Sequence, residues 1–169
     1  RTHIKADFEA LKSEPKVAES YPDWLWEFGM NELGKTLWEK EAKALNEPAK
    51  VVFRANTLKA PGKELEKKLM TMAVPFEKIE GQPEAYVFSK KENVFKNPLF
   101  KEGYFEIQDA GSQQISAFLN PASNDLVIDA CAGAGGKSLH LAALMKNKGR
   151  VLSMDVEQWK LDELKKRAK

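Results

Sequence analysis

The 169-residue chain is short of cysteine and of net charge, and each shortage removes a class of protein. Its single cysteine excludes an internal disulfide framework, which suits a reducing, cytoplasmic setting. The 27 basic and 25 acidic residues leave a formal charge of +2, so no global field advertises a polyanionic partner and any nucleic-acid contact has to be local. No apolar run reaches the ~18 residues of a membrane span, and the opening RTHIKADFEALK lacks the apolar core of a signal peptide. Neither a membrane nor a metal is expected as a partner. Internal repeats and low-complexity tracts are also missing. What remains is an ordinary composition, 43% hydrophobic, enough for a sizeable core in one or two domains.

Against that background the stretch Asp125 to Ser138, DLVIDACAGAGGKS, stands out. Leu126, Val127 and Ile128 form a short unbroken apolar run, the pattern of a strand buried on both faces of a parallel sheet. Asp129 follows near its carboxyl end. Gly133, Gly135 and Gly136 then allow a sharp turn and a close approach of backbone to ligand, and the next helix starts with free N–H groups aimed into the same crevice. Open α/β sheets bind ligands at that place. A phosphate-binding loop needs a glycine five positions before Gly136, where Cys131 stands. A dinucleotide fingerprint runs through Gly133 and Gly135 and meets Ser138 where its third glycine belongs. S-adenosylmethionine fits a third pattern, the same strand and loop with an acid ending the second strand to hold the ribose hydroxyls. Arg150 to Met154, RVLSM, reads as that strand, and Asp155 ends it 26 residues after Asp129, near the roughly 20-residue interval of a ribose-binding acid. A structural glycine turn without a ligand is the fourth reading.

Upstream, the segment from about Asp7 to Asn46 follows a helical pattern with Leu25, Phe28, Leu33 and Leu37 on one apolar stripe. Pro22 marks a helix start and Asn46-Glu47-Pro48 a stop. Trp24, Trp26 and Trp38 suggest stacking platforms, but large aromatics serve burial first. Val51 to Thr57 reads as a strand, Gly62 to Met72 as a helix, and Pro75 to Ile79 and Ala85 to Ser89 as strands around the turn Gly81-Gln82-Pro83. Tyr86 and Phe88 alternate onto one face, which suits base stacking and suits packing on the helix better. Lys90, Lys91, Lys96 and Lys101 make a loose basic run, either a solvated loop or a contact with an RNA backbone. A helix from about Gly111 to Leu119, capped by Asp109, precedes the glycine loop. The loop's own helix carries Leu139, Leu141, Leu144 and Met145 to a stop at Gly149, with His140 as a surface or packing residue. A last helix runs from Glu157.

DACAGAGGKS resembles the methyl-donor loop of the NOL1/NOP2/Sun (RsmB-like) RNA (cytosine-5) methyltransferases, D-x-C-A-x-P-G-G-K-[ST]. Three further segments agree in order. Ser20, Pro22 and Trp24 fit S-x-P-x-W; Arg54 to Lys59, RANTLK, resembles R-x-N-T-L-K; and Gly103 to Ser112, GYFEIQDAGS, resembles the Q-D-x-(A/G)-S segment before the first strand. The chain departs at Ala134, where the family normally has proline, implying a less rigid loop. The resemblance runs from about Ser20 to the last residue, and the family's later segments do not appear.

The resemblance implies an α/β fold: the start of an S-adenosylmethionine-dependent, Rossmann-like methyltransferase domain, preceded by a small helical and RRM-like α/β subdomain. The expected divisions are 1–50 helical, 51–102 RRM-like and 103–169 the front of the methyltransferase domain. Cys131, Ala132, Gly133, Ala134, Gly135, Gly136 and Lys137 would wrap the methionine and ribose side of the donor, and Asp155 would hold the ribose. The implied reaction is methylation of carbon 5 of cytosine in RNA, most often ribosomal. Carbon 5 is a poor nucleophile, so such enzymes add a cysteine thiolate to carbon 6 first, and a second cysteine assists release. In the family both lie beyond the second helix. Cys131 sits in the donor loop, a small residue in a tight turn, so no catalytic residue is expected in this chain. Lys137 is either an exposed first-turn residue or a charge near the target phosphates. Arg1 in place of methionine, and only two strong strand candidates after Gly103, suggest the front part of a longer enzyme, inactive alone, or one that borrows a sheet edge from a second copy. The rival reading is a non-catalytic RNA-binding or assembly module on a degenerate methyltransferase fold.

Overall fold

A computed structural model describes residues 2–90 and 93–168. It forms two compact units, residues 1–49 and 50–169.

The first unit is four helices: α1 (Thr2–Leu11), α2 (Pro15–Ala18), α3 (Asp23–Leu33) and α4 (Lys35–Leu45). Gly34, at φ +72°, separates α3 from α4, a backbone state that glycine adopts without steric cost. The buried face is not the stripe that spacing suggested, for Phe28, Leu33 and Leu37 are exposed. Tyr21, Trp26 and Trp38 pack together instead, with ring centroids 5.4 to 6.1 Å apart. Gly29 is the reason: a Cβ there would come within 2.2 Å of the Trp38 ring, so the face lacking a side chain receives the indole. Trp24 points to solvent.

The second unit opens with β1 (Val52–Ala55), α5 (Gly62–Thr71), β2 (Phe76–Lys78) and β3 (Ala85–Phe88). A 3₁₀ turn (Val94–Lys96), α6 (Pro98–Lys101) and β4 (Phe105–Ile107) follow. The four strands form an antiparallel sheet in the order β2-β3-β1-β4, the split β-α-β arrangement of ferredoxin-like folds. β4 has no counterpart among the strands expected from sequence; it lies in the GYFEIQ segment and pairs with β1. Alternation divides the sheet. Phe53, Ala55, Tyr86, Phe88 and Phe105 join Leu65 and Leu69 of α5 in one core, with Phe53 stacked on Phe88 at 4.2 Å. Tyr86 and Phe88 are therefore packing residues with no free face for a base, and the Tyr86 hydroxyl donates to Glu66 at 2.8 Å.

The remainder is α7 (Ala110–Leu119), β5 (Leu126–Asp129), α8 (Gly136–Leu144), β6 (Arg150–Ser153) and α9 (Gln158–Arg167). The Asp109 carboxylate caps α7 by accepting from the Gly111 and Ser112 N–H groups. Asn120, at φ +46°, ends it. β5 and β6 pair in parallel from Leu126↔Arg150 to Asp129↔Ser153, with α8 as their crossover, which is the opening βαβ unit of a doubly wound sheet. Val127 packs with Leu141, Met145 and Val151. Leu126 and Ile128, by contrast, are 67% and 62% exposed, so β5 is buried on one face only among the described residues. An unbroken apolar run makes both faces suited to burial, but a layer must lie against each to bury it.

Candidate functional site

The glycine turn stands at the carboxyl ends of β5 and β6, and the end of β6 fixes it. The Met154 N–H donates to the Asp129 carbonyl at 2.8 Å and the Ala132 N–H to the Met154 carbonyl at 2.9 Å. Gly133 and Gly135 take φ of +54° and +94°, values that favour glycine over any residue with a Cβ. A Cβ built on Gly133 or Gly136 would meet nothing within 4 Å, so the turn borders open space there. α8 begins at Gly136 with no side-chain cap. Its first N–H groups have no partner within the helix and carry partial positive charge.

Asp155 closes this arrangement. One carboxylate oxygen accepts from the Gly133 N–H at 2.8 Å and the other from the Glu157 N–H at 2.9 Å, with the Lys160 ammonium 3.8 Å away. The backbone N–H groups of Glu157 and then Gly133 hold this carboxyl below its ordinary range, so it is anionic at neutral pH. A carboxylate has about four lone-pair sites, which leaves acceptor capacity for a ligand. The tie to Gly133 is a role that sequence spacing did not disclose.

A second polar chain was also missed. The Ser153 hydroxyl donates to the Ser138 oxygen at 2.8 Å, and Ser138 donates to the Asp129 carboxylate at 2.7 Å. Ser138 is buried in the first turn of α8, so strand ends and helix start are locked together beside the loop. The signal available was the serine closing the GGKS run. Cys131 is exposed at the turn, Ala132 is buried, and Lys137 is half-buried in the first turn of α8.

Lys90, Lys96 and Lys101 are exposed on the connector between β3 and β4, and Lys91 lies outside the described residues. Among the described residues no hydrogen bond or ion pair joins these lysines to the glycine turn. Phe95, between them in sequence, is 75% exposed.

Two of the other resembling motifs turn out to be neighbours. Arg54 on β1 is fully buried, its Nε–H donating to the Gln108 side chain at 2.8 Å and Nη1 to the Ala55 carbonyl at 3.2 Å. Gln113 on α7 donates to the Gln108 carbonyl at 2.9 Å, and the Asn56 side chain donates to the Gly103 carbonyl at 2.9 Å. RANTLK and GYFEIQDAGS thus stitch the antiparallel sheet to α7. Burial lowers the Arg54 guanidinium to about 10, which still leaves it charged at neutral pH. His140, buried on α8, is a packing residue. Burial, helped by the Arg54 charge, pushes it down to about 4 and keeps it neutral.

Residues 116–169 match the family of the 16S rRNA methyltransferase RsmB/F. Over 149 residues the chain is 35% identical to the probable ribosomal RNA small subunit methyltransferase B of Bacillus subtilis, covering 88% of this chain and 33% of that protein. It is 27% identical over 158 residues to the 28S rRNA (cytosine(4447)-C(5))-methyltransferase of Homo sapiens, covering 89% of this chain and 19% of that protein. A solved methyltransferase homolog from Pyrococcus horikoshii superposes with a TM-score of 0.80 at 26% identity, covering 91% of this chain and 50% of that one. The chain spans about a third of the length of the bacterial relatives it matches. Among the described residues no helix is long and apolar enough to cross a membrane, and no group of three or more His, Cys, Asp or Glu side chains is arranged to hold a metal.

Proposed function

We propose, from the premise that this chain belongs to the NOL1/NOP2/Sun family of RNA (cytosine-5) methyltransferases, that it carries the donor-binding part of an enzyme methylating carbon 5 of a cytosine in ribosomal RNA, in the cytoplasm. The observation that carries the donor assignment is the crevice at Gly133, Gly136 and Asp155: open space where side chains would stand, uncapped helix N–H groups on one side and an anionic carboxylate on the other. S-adenosylmethionine, when bound, supplies the electrophilic methyl group.

The chain's own residues bind and orient. Cys131, Ala132, Gly133, Ala134, Gly135, Gly136 and Lys137 follow the methionine and ribose side of the donor, and the remaining lone pairs of Asp155 accept from the ribose hydroxyls. Ser138 and Ser153 keep Asp129 and the start of α8 in register with the strand ends. Cys131 belongs to the donor loop, and the thiolate that adds to carbon 6 is not assigned to it. The exposed lysines before Gly103 contact RNA phosphates.

Calorimetric titration of the full-length protein carrying this chain tests the Asp155 role. Asp155→Ala should weaken S-adenosylmethionine binding by about tenfold or more, the scale for a lost hydrogen bond to a charged group. A donor analogue lacking the 2′- and 3′-hydroxyls should lose much less. Equal losses for the two ligands would reduce Asp155 to a tie for Gly133, and an unchanged affinity would remove it from the site.

A further inference from the structure

We infer that Arg167 is a positioning residue for the donor loop, a clamp that holds Ala134 from outside the turn where a proline would have stiffened it from within. The inference rests on the donor-site reading above. Each of the three central loop residues is fixed by a different tie. Gly133 is held by Asp155 through its N–H. Gly135 donates to the Ala132 carbonyl at 2.9 Å. The Ala134 N–H makes no hydrogen bond among the described residues, which leaves the carbonyl as the group by which this residue is held.

That group is taken by Arg167, the last residue of α9, whose Nη1 donates to the Ala134 carbonyl at 2.6 Å. The other terminal nitrogen pairs with the Glu106 carboxylate on β4. The guanidinium plane is rigid, so engaging both nitrogens fixes the position of each partner relative to the other. The side chains of Arg167 and Glu106 are 24% and 13% exposed, which screens the pair much less than an open surface contact. Leu164 lies three residues earlier, on the same face of α9. Its side chain occupies the space where a Gly135 Cβ would fall, 2.6 Å from that position. α9 therefore backs two successive loop residues, one by packing and one by a charged hydrogen bond. Glu106 anchors the clamp in the sheet, opposite Arg54 in the β1–β4 ladder.

A merely structural role is the competing account, since a cation at a helix C-terminus and an ion pair to a neighbouring strand also steady α9. The two accounts differ at the loop. In the full-length protein, Arg167→Ala should speed amide exchange at Gly133 and Gly135 and weaken S-adenosylhomocysteine binding, each by roughly tenfold, the scale of one charged hydrogen bond. Arg167→Lys, a point charge without the fork, should fall between. Adding Ala134→Pro to Arg167→Ala should recover most of the missing affinity without restoring the pairing with Glu106. Should Arg167→Ala fail to fold, Glu106→Gln must move loop exchange and affinity in the same direction. Unchanged exchange and affinity in either folded variant overturns the inference. So does a loss that tracks melting temperature and that proline does not recover. Loop exchange that responds to Arg167→Ala in a protein that binds no donor would sink the donor-site reading and leave the clamp standing.

Discussion

His140 shows how one buried side chain can tie the fold to pH. It is 4% exposed, its Nδ1 has no partner among the described residues, and its Nε2 lies 3.8 Å from the Glu84 carboxylate. Burial lowers it to about 4, with the Arg54 charge acting the same way, and burial also raises the Glu84 carboxyl. In the unfolded chain a histidine titrates near 6.5. Between about 4 and 6.5 the unfolded state binds the extra proton, so the stability His140 contributes is complete above about 6.5 and falls as pH drops toward 4. Thermal melts at pH 7 and 5 should show a larger drop for the wild type than for His140→Leu, which cannot titrate. Equal drops would mean that His140 protonates without cost in the fold. His140 was legible from its place on the helix as a surface or packing residue, and burial decides for packing. The tie of Asp155 to the Gly133 N–H was not legible. Spacing places an acid at a strand end, but which N–H its oxygens meet depends on the φ of Gly133, and no residue count reports that.

At the scale of elements, the connector from β3 to β4 carries the proposed RNA contact. It holds a 3₁₀ turn and the four-residue α6, and Lys90, Lys96 and Lys101 are exposed along it. Replacing these three and Lys91 by alanine should weaken RNA binding and flatten the dependence of log K on log salt, by up to about 0.7 for each phosphate of single-stranded RNA that is no longer neutralised. An unchanged salt slope would mean a solvated connector. Elements long enough to show a period were legible: α5, α7, α8 and the β5–loop–α8–β6 order all fall within a few residues of expectation. β4 was hidden because its three residues have no turn to mark them like the Gly81-Gln82-Pro83 that marks β2 and β3. The helical unit misled for another reason, since periodicity counts apolar side chains, whereas α3 is packed through Gly29, which has none.

Across the whole chain, its second unit ties its antiparallel sheet together through Arg54 to Gln108 and Asn56 to Gly103, and joins that sheet to the helix following the opening βαβ of a doubly wound one through Arg167 to Glu106. The last of these links runs on to the glycine loop at Ala134. The central claim is that this loop holds the methyl donor, and photochemical crosslinking of methyl-labelled S-adenosylmethionine to the full-length protein, followed by trypsin digestion and peptide mapping, tests it most directly. Trypsin releases the loop in one peptide, Glu102 to Lys137. Label is expected in that peptide, abolished by excess S-adenosylhomocysteine. Label that competes away in the same manner but falls only outside residues 102–169 would contradict the claim.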